Sequence, residues 1–402
     1  MFIDLKIKNC YIFEKEVSFS MKADMRNKKF GFNVYKENNF NILKTAGIYG
    51  TNNSGKTCLV KCILAIKKIL LNEENILEKN FFSNSNICEL GVIFLHEGKK
   101  YSFDFKYDTV VRKYIYEKFS EIVKDSYGNE KEICWLKKDR INNIYESIDK
   151  KIEDEIKNIS APILIFNVID NERFEYVKRM KEILIGFANK ICVIDMTLIP
   201  ITHTIELIKN GGNNQQKVIE FIKNADLYLD KIEYDNIGEG DTSRSFEKLL
   251  STYNGIKVSS VKYDSLGTKK VTALASYIIE AIEEGKILVV DELDSSLHFV
   301  LTRAIVSMFN NELNKNAQLI FTVHDINLMD CKKLFRKEQI WFVHKDNTGV
   351  YVYSLADFKA KEGIRDTSDI IEKYKRGMLG ALPEPNLIEV LLDIKEDDNN
   401  GS

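Results

Sequence analysis

Apolar residues alternate with polar ones at period two along Phe2 to Lys8 and again along Glu16 to Met21, the pattern of half-buried antiparallel strands. Thr45 to Tyr49 is instead a short apolar run that stops at Gly50, and beyond Lys56 the residues Leu59, Ile63, Ile66 and Leu70 recur at helical spacing within Thr57 to Leu71. That segment predicts strand, loop, helix. From Gly91 to Glu117 strand patterning returns: Val92, Phe94, Tyr101, Phe103, Phe105 and Tyr107 alternate around a turn at Glu97-Gly98, which predicts a hairpin-rich sheet. Residues from about 138 to 225 read mainly helical and charged, interrupted by a strand-like run at Pro162 to Phe166 and by Gly211-Gly212.

A second strand, helix, strand unit follows: Lys286 to Val290, then an amphipathic helix over Leu297 to Phe309, then Gln318 to Thr322. Strands that are apolar throughout belong to parallel sheets covered on both faces. The expected fold class is therefore α/β, with a mixed central sheet, antiparallel strands at the N-terminus and an inserted, mainly helical lobe. The division this suggests is 1–125 and 256–376 as two halves of one core, 126–255 as the lobe, and 377–402 as a tail with six acidic residues against one lysine. No internal repeat interrupts it.

Composition narrows the class. At 402 residues the chain is longer than a usual single domain, and 44% hydrophobic with 29% charged residues is an ordinary globular balance. No stretch approaches the 18 or more apolar residues of a membrane span, so no membrane partner is expected. The opening MFIDLKIKNCYIF lacks a basic region followed by an apolar one, which predicts a cytoplasmic protein. Seven scattered cysteines without a C-x-x-C pair argue for reduced thiols and not for a disulfide framework or a zinc site. A net charge of -2 leaves any nucleic-acid contact to a local patch.

The chemistry starts at Gly50-Thr51-Asn52-Asn53-Ser54-Gly55-Lys56-Thr57, which fits G-x-x-x-x-G-K-[ST] at every fixed position and lies between a predicted strand and a predicted helix. Glycines are needed there because backbone N–H groups must wrap phosphates, with the helix N-terminus adding partial positive charge. Lys56 would reach the terminal phosphates of ATP, and the Thr57 hydroxyl would hold Mg²⁺. A chance match in a chain of this length is on the order of one in a hundred.

Ile287-Leu-Val-Val-Asp291-Glu292 is a buried strand ending in two carboxylates, placed where a parallel sheet presents ligands. Asp291 would hold Mg²⁺ through water, and Glu292 is the candidate general base that polarises the attacking water. By itself such a run is usually a strand entering an exposed turn; the glycine-rich loop raises its weight. His324 follows the strand Gln318 to Val323 and fits a γ-phosphate sensor, whereas His298 reads as a cap beside its helix. Asp264-Ser265-Leu266-Gly267-Thr268-Lys269-Lys270 opens an Ala- and Ile-rich helix; Ser265 is either a simple N-cap or an anion-binding turn.

The order GTNNSGKT, SLGTKK, ILVVDELDSSLH, TVHD resembles the ABC-type P-loop ATPases of the RecF, SMC and OLD group. Within it the chain is similar to RloA-like and abortive-infection AAA-type ATP-binding proteins, including the ATPase subunit of the PARIS anti-phage system. LKIKNCYIFEKEVSFSM, KNADLYLDKIEY at 223–234, QIWFVHKDNTGVYVYSLADF at 339–358 and YKRGMLGALP carry further likeness. The resemblance implies that Ser265 and Gly267 contact the γ-phosphate held by the opposite subunit, that Asp294 belongs to the D-loop at that interface, and that Cys58 closes the nucleotide loop. ATP would then close a homodimer or a higher homo-oligomer. The signature is SLGTKK and not the transporter form LSGGQ, and no Q-loop glutamine is assigned.

The resemblance further implies an ATP-hydrolysing sensor or scaffold of an anti-phage system that controls a separately encoded effector, a nuclease of Toprim or RloB-like type, in response to DNA or a phage protein. The alternative is a RecF-like DNA-repair ATPase; residues 331–376 hold 11 Lys/Arg against 7 Asp/Glu, a modest excess. Roughly 230 residues between the two nucleotide motifs, without heptad patterning, are too few for an SMC coiled coil. About 75 residues after His324 leave no room for the Toprim domain of an OLD nuclease.

Overall fold

The computed structural model describes residues 1–37, 40–159, 162–169, 173–211, 213–225, 228–235, 246–358, 364, 368–382 and 388. The chain opens with β1 (Phe2–Lys8), β2 (Val17–Ser20), β3 (Val34–Glu37), β4 (Phe40–Leu43), β5 (Thr45–Tyr49) and α1 (Lys56–Leu70). Long hairpins follow: β6 (Ile87–His96), β7 (Lys99–Asp108), β8 (Lys113–Lys124), β9 (Glu130–Asp139) and the short β10 (Ile144–Ser147). Then come α2 (Lys150–Asn158), α3 (Glu175–Lys190), β11 (Ile191–Asp195), α4 (Thr202–Asn210), α5 (Asn213–Asn224), β12 (Lys231–Tyr234), β13 (Leu249–Tyr253) and β14 (Ile256–Ser259). The chain continues through α6 (Ser260–Tyr263), α7 (Leu266–Glu284), β15 (Ile287–Asp291), α8 (Phe299–Asn310), β16 (Gln318–Thr322), β17 (Ile340–Asp346), β18 (Gly349–Ser354) and α9 (Ile370–Lys375).

Six strands form the central sheet in the order β11-β15-β16-β5-β17-β18, parallel except for the antiparallel edge strand β18. Every residue of β5, β15 and β16 is buried, and alternate residues feed two cores. Ile287, Val289 and Ile320 pack with α1, α3 and the antiparallel strands, while Leu288, Val290, Leu319 and Phe321 pack with α7 and α8. Helices on both faces explain why these strands read as continuous apolar runs. The result is a mixed α/β fold, a mainly parallel sheet with helices on both faces joined to an antiparallel one.

The second sheet is antiparallel, in the order β10-β9-β8-β7-β6-β1-β2, with the Glu97-Gly98 turn joining β6 to β7. Buried side chains of α1 and α3 lie in the core it shares with the central sheet. A buried glutamine locks the two together: Gln318 of β16 accepts from Phe2 N at 2.6 Å and donates to Phe2 O at 3.0 Å and Leu43 O at 3.1 Å.

The stretch 126–255 is largely helical but is not one lobe. Strands β9 and β10 extend the antiparallel sheet, and β11 pairs with β15 in the central sheet. What is inserted is smaller: α4, α5 and the sheet β12-β13-β14, packed on Ala273 and Ala275 of α7. The run Pro162 to Phe166 forms no strand. Its residues Leu164, Ile165 and Phe166 are buried as a loop and a single 3-10 turn, fixed by Ile165 N donating to the Glu117 carboxylate at 2.8 Å. The Gly211-Gly212 break, the segment 223–234 and the tail from Gly377 fall partly outside the described residues. No described helix is long and apolar enough to cross a membrane.

Glu117 is fully buried on β8, and burial pushes its carboxyl up to about 7, against the pull of Ile165 N, Lys138 and Arg140. A carboxyl raised on folding adds stability that is complete below its unfolded value near 4.5 and is lost as pH climbs toward 7. Glu117→Gln keeps an acceptor for Ile165 N and removes the titration. Denaturant unfolding at pH 5 and pH 8 should therefore show the variant gaining on the parent by about 1–3 kcal/mol at the higher pH; parallel profiles would refute this.

Candidate functional site

The parallel strands end in register. Asp195 of β11 stands opposite Asp291 of β15, Val290 opposite Phe321 of β16, and Thr322 opposite Ile48 of β5. One row thus holds Asp195, Asp291, Thr322 and Ile48, and Glu292, His324 and Gly50 follow immediately beyond it. Chemistry gathers at this edge because an unpaired polar group on either buried face of the strands is costly.

The loop after β5 is shaped for close backbone approach. A Cβ at Gly50 would lie 2.2 Å from Val343 O, and at Gly55, which has φ +113°, 2.8 Å from Ile12 Cγ2. No other residue type fits either position without displacement. Asn53 is also left-handed, at φ 60°. Thr51 and Cys58 are half-buried, Asn52, Asn53 and Thr57 are exposed, and burial pushes the Cys58 thiol up. Helix α1 starts at Gly55 with no side-chain cap and no acidic residue in its first turn. Its N–H groups and partial positive charge are directed into the loop.

Lys56 is buried, and its ammonium donates to Gly50 O at 2.8 Å and Thr51 O at 3.0 Å. Burial lowers its pKa, while Asp291, Glu292 and Asp294 act in the opposite direction, so the lysine shares one electrostatic neighbourhood with these carboxylates. Ser54 Oγ is buried and has no partner among the described residues. An uncapped helix start, a lysine bonded to neutral carbonyls and an orphaned hydroxyl are together suited to a polyanion.

Asp291 is buried, and its Oδ1 accepts from Thr322 Oγ1 at 2.5 Å. The same hydroxyl oxygen accepts from Glu292 N at 2.7 Å, and Leu293 N donates to Thr322 O at 3.0 Å. Glu292 adopts φ 55°, an uncommon conformation for a non-glycine residue, and is half-buried. His324 is exposed. Asp294 turns inward: Oδ2 accepts from His324 N at 2.9 Å and Asp325 N at 2.7 Å, while Oδ1 is buried without a partner among the described residues. The carboxylate expected at a subunit interface therefore ties two loops of its own chain.

Ser265 is exposed and caps α7, accepting from Thr268 N at 3.0 Å. A Cβ at Gly267 would lie 2.9 Å from Ser296 O. These residues line a cavity of about 320 Å³ with Thr268, Ser296 and His298. None of Gly50 to Thr57 lines it, so within one chain the structure does not bring Ser265 and Gly267 onto the phosphate loop. His298 caps α8 through Val300 N at 3.4 Å.

Two residues at the edge escape the sequence pattern. Asp195 ends Ile191-Cys-Val-Ile-Asp195, which repeats the form of Ile287-Leu-Val-Val-Asp291; Met196 N beyond it donates to Asp291 O at 3.0 Å. The repeated form was a usable signal. Thr322 carries no such signal, since only the pairing of β15 with β16 places its hydroxyl between Asp291 and Glu292.

Residues 196–330, about a third of the chain, match the family described as "AAA domain, putative AbiEii toxin, Type IV TA system". No curated protein matches the chain. Among solved structures, an SMC head domain from Thermotoga maritima aligns at 14% identity and TM-score 0.41, covering 88% of this chain and 98% of that one. An SMC head domain with an extended coiled coil, bound to the C-terminal domain of ScpA and derived from Pyrococcus furiosus, aligns at 12% identity and TM-score 0.44, covering 93% and 99%.

Thr322→Val keeps the shape of the side chain and removes the hydroxyl shared by Asp291 and Glu292. It should destabilise the chain by about 1–3 kcal/mol, because Glu292 N and the Asp291 carboxylate lose their partner. Thr322→Ser should cost less. Denaturant midpoints of the two variants against the parent measure this.

Proposed function

We propose that the protein binds and hydrolyses ATP with Mg²⁺, as a homodimer or higher homo-oligomer closed by the nucleotide. Gly50 to Thr57, with Cys58 behind them, cradle the phosphates through backbone N–H groups, and Lys56 exchanges its carbonyl partners for phosphate oxygens. Thr57 and Asp291 hold the metal, which would supply charge neutralisation at the phosphates. Glu292 acts as general base on water, and His324 contacts the γ-phosphate. Ser265 and Gly267, at the start of the opposite subunit's α7, complete the site, with Asp294 beside them.

The observation that carries this reading is the single row at the sheet edge, where an uncapped helix N-terminus and Lys56 meet Asp291 and Glu292. The composite site is supported by the separation of the Ser265 cavity from the phosphate loop within one chain. The biological role is supported by the matched family, whose description names a putative AbiEii toxin of a Type IV TA system. With the resemblance carried by its motif order, we read the protein as a cytoplasmic ATPase of the RloA-like and OLD-like kind in a bacterial anti-phage system. It answers a DNA or phage-protein trigger and controls a separately encoded effector nuclease.

ATP turnover and mass in solution, with and without Mg-ATP, test the enzymology. Lys56→Ala should abolish turnover and weaken nucleotide binding. Glu292→Gln should lower kcat by about 10²–10⁴-fold while retaining ATP and accumulating the larger assembly. Turnover that survives Glu292→Gln would remove it as the base, and a monomer under every condition would count against the composite site.

A further inference from the structure

The loop from Glu292 to Ser296 is left-handed at both ends, with φ 55° at Glu292 and 61° at Ser296. Two such residues in five store strain that persists only where surrounding contacts over-determine the backbone. One set of contacts faces β16: Glu292 N to Thr322 Oγ1, Leu293 N to Thr322 O, and the Asp294 carboxylate to His324 N and Asp325 N. The other set faces α7. Ser295 Oγ accepts from Lys270 Nζ at 2.8 Å, and the close approach of Gly267 to Ser296 O leaves no space for a side chain.

Lys270 is only 3% exposed and forms no ion pair among the described residues. Burying an ammonium is expensive, and a hydroxyl oxygen offsets the loss of water poorly. An unbranched apolar side chain would fill the same space at lower cost, so packing alone does not account for a lysine here. What the charge does is hold the loop that carries Glu292 and Asp294 to the helix that begins at Ser265.

We propose that Lys270 is a positioning residue: through Ser295 it couples the loop behind Glu292 to the signature turn of the same chain. The state of the nucleotide in one subunit then sets the geometry of the Ser265 which that subunit offers to its partner. This inference rests on the composite-site reading above. Sequence spacing does not reveal it, because nothing in SLGTKK or the helix it opens shows that Lys270 faces Ser295.

The test uses the full chain carrying Lys270→Met, Lys270→Arg, Ser295→Ala or the Met/Ala pair, with Ser265→Ala as reference. Trinitrophenyl-ADP, which offers no γ-phosphate to the opposite subunit, reads the phosphate loop alone, and steady-state ATP turnover reads the assembled site. Nucleotide affinity should stay within about twofold while kcat falls about tenfold in Lys270→Met and Ser295→Ala. The double variant should be no worse than either single one, as expected of residues acting through one contact. Lys270→Arg should recover part of the loss. A kcat within twofold of the parent in Ser295→Ala, or multiplicative losses in the double variant, overturns the proposal, and Ser295→Ala decides it alone should Lys270→Met fail to fold. If Ser265→Ala is itself unimpaired, the composite-site reading falls and this inference with it; if Ser265→Ala is impaired and Ser295→Ala is not, only this inference falls.

Discussion

Burial of both faces of β5, β15 and β16 is the constraint on which the rest of the molecule depends. Each of these strands is wholly buried, with alternate residues entering opposite cores. Such strands satisfy their backbone groups through their neighbours and make an unpaired polar side chain on them costly. Polar chemistry is displaced to the strand ends, and parallel pairing brings the ends together. The row of Asp195, Asp291, Thr322 and Ile48 is thus a geometric consequence of the hydrophobic pattern.

At that edge one hydroxyl has an outsized role. Thr322 is fully buried, donates to Asp291 and accepts from Glu292 N, so it fixes a carboxylate and a left-handed backbone turn at once. The adjacent Asp294 repeats the device with two backbone N–H groups, at His324 and Asp325. Negative charge from Asp291, Glu292 and Asp294 then bears on the buried Lys56, offsetting part of the penalty of taking its ammonium out of water. The carboxylates thus favour the charged form of Lys56 where burial alone would penalise it.

How far the sequence reveals this depends on whether a feature is local. The phosphate loop, the strand ending in Asp291-Glu292 and the Glu97-Gly98 turn are written in consecutive residues, and the secondary structure follows them. Non-local features are not written that way. The run Pro162 to Phe166 is apolar enough to suggest a strand, yet Ile165 N bonds to Glu117, 48 residues earlier, and the Leu164 and Ile165 carbonyls bond within a local turn. β11 is short and sits among helices, so its place in the central sheet emerges only from pairing with β15. The inserted lobe was overestimated for the same reason. Ser295, Lys270 and Thr322 carry ordinary turn, helix and strand identities, and their roles come from what lies across from them.

Lys56 shows why affinity at this edge is a difference and not a sum. Its two hydrogen bonds, to Gly50 O and Thr51 O, close the loop on itself. A phosphate taking the ammonium gains a charge-assisted contact but exchanges these bonds for it, and the net is what binding measures. The helix N-terminus behind Gly55 has no side-chain cap to give up, so its N–H groups exchange only water. On the proposed function, the backbone of the loop would therefore contribute more of the net affinity per contact than the lysine. On the same reading, the lysine's larger effect would fall where charge increases on the terminal phosphate during reaction, because there the full ammonium would meet a stronger field in a partly desolvated site.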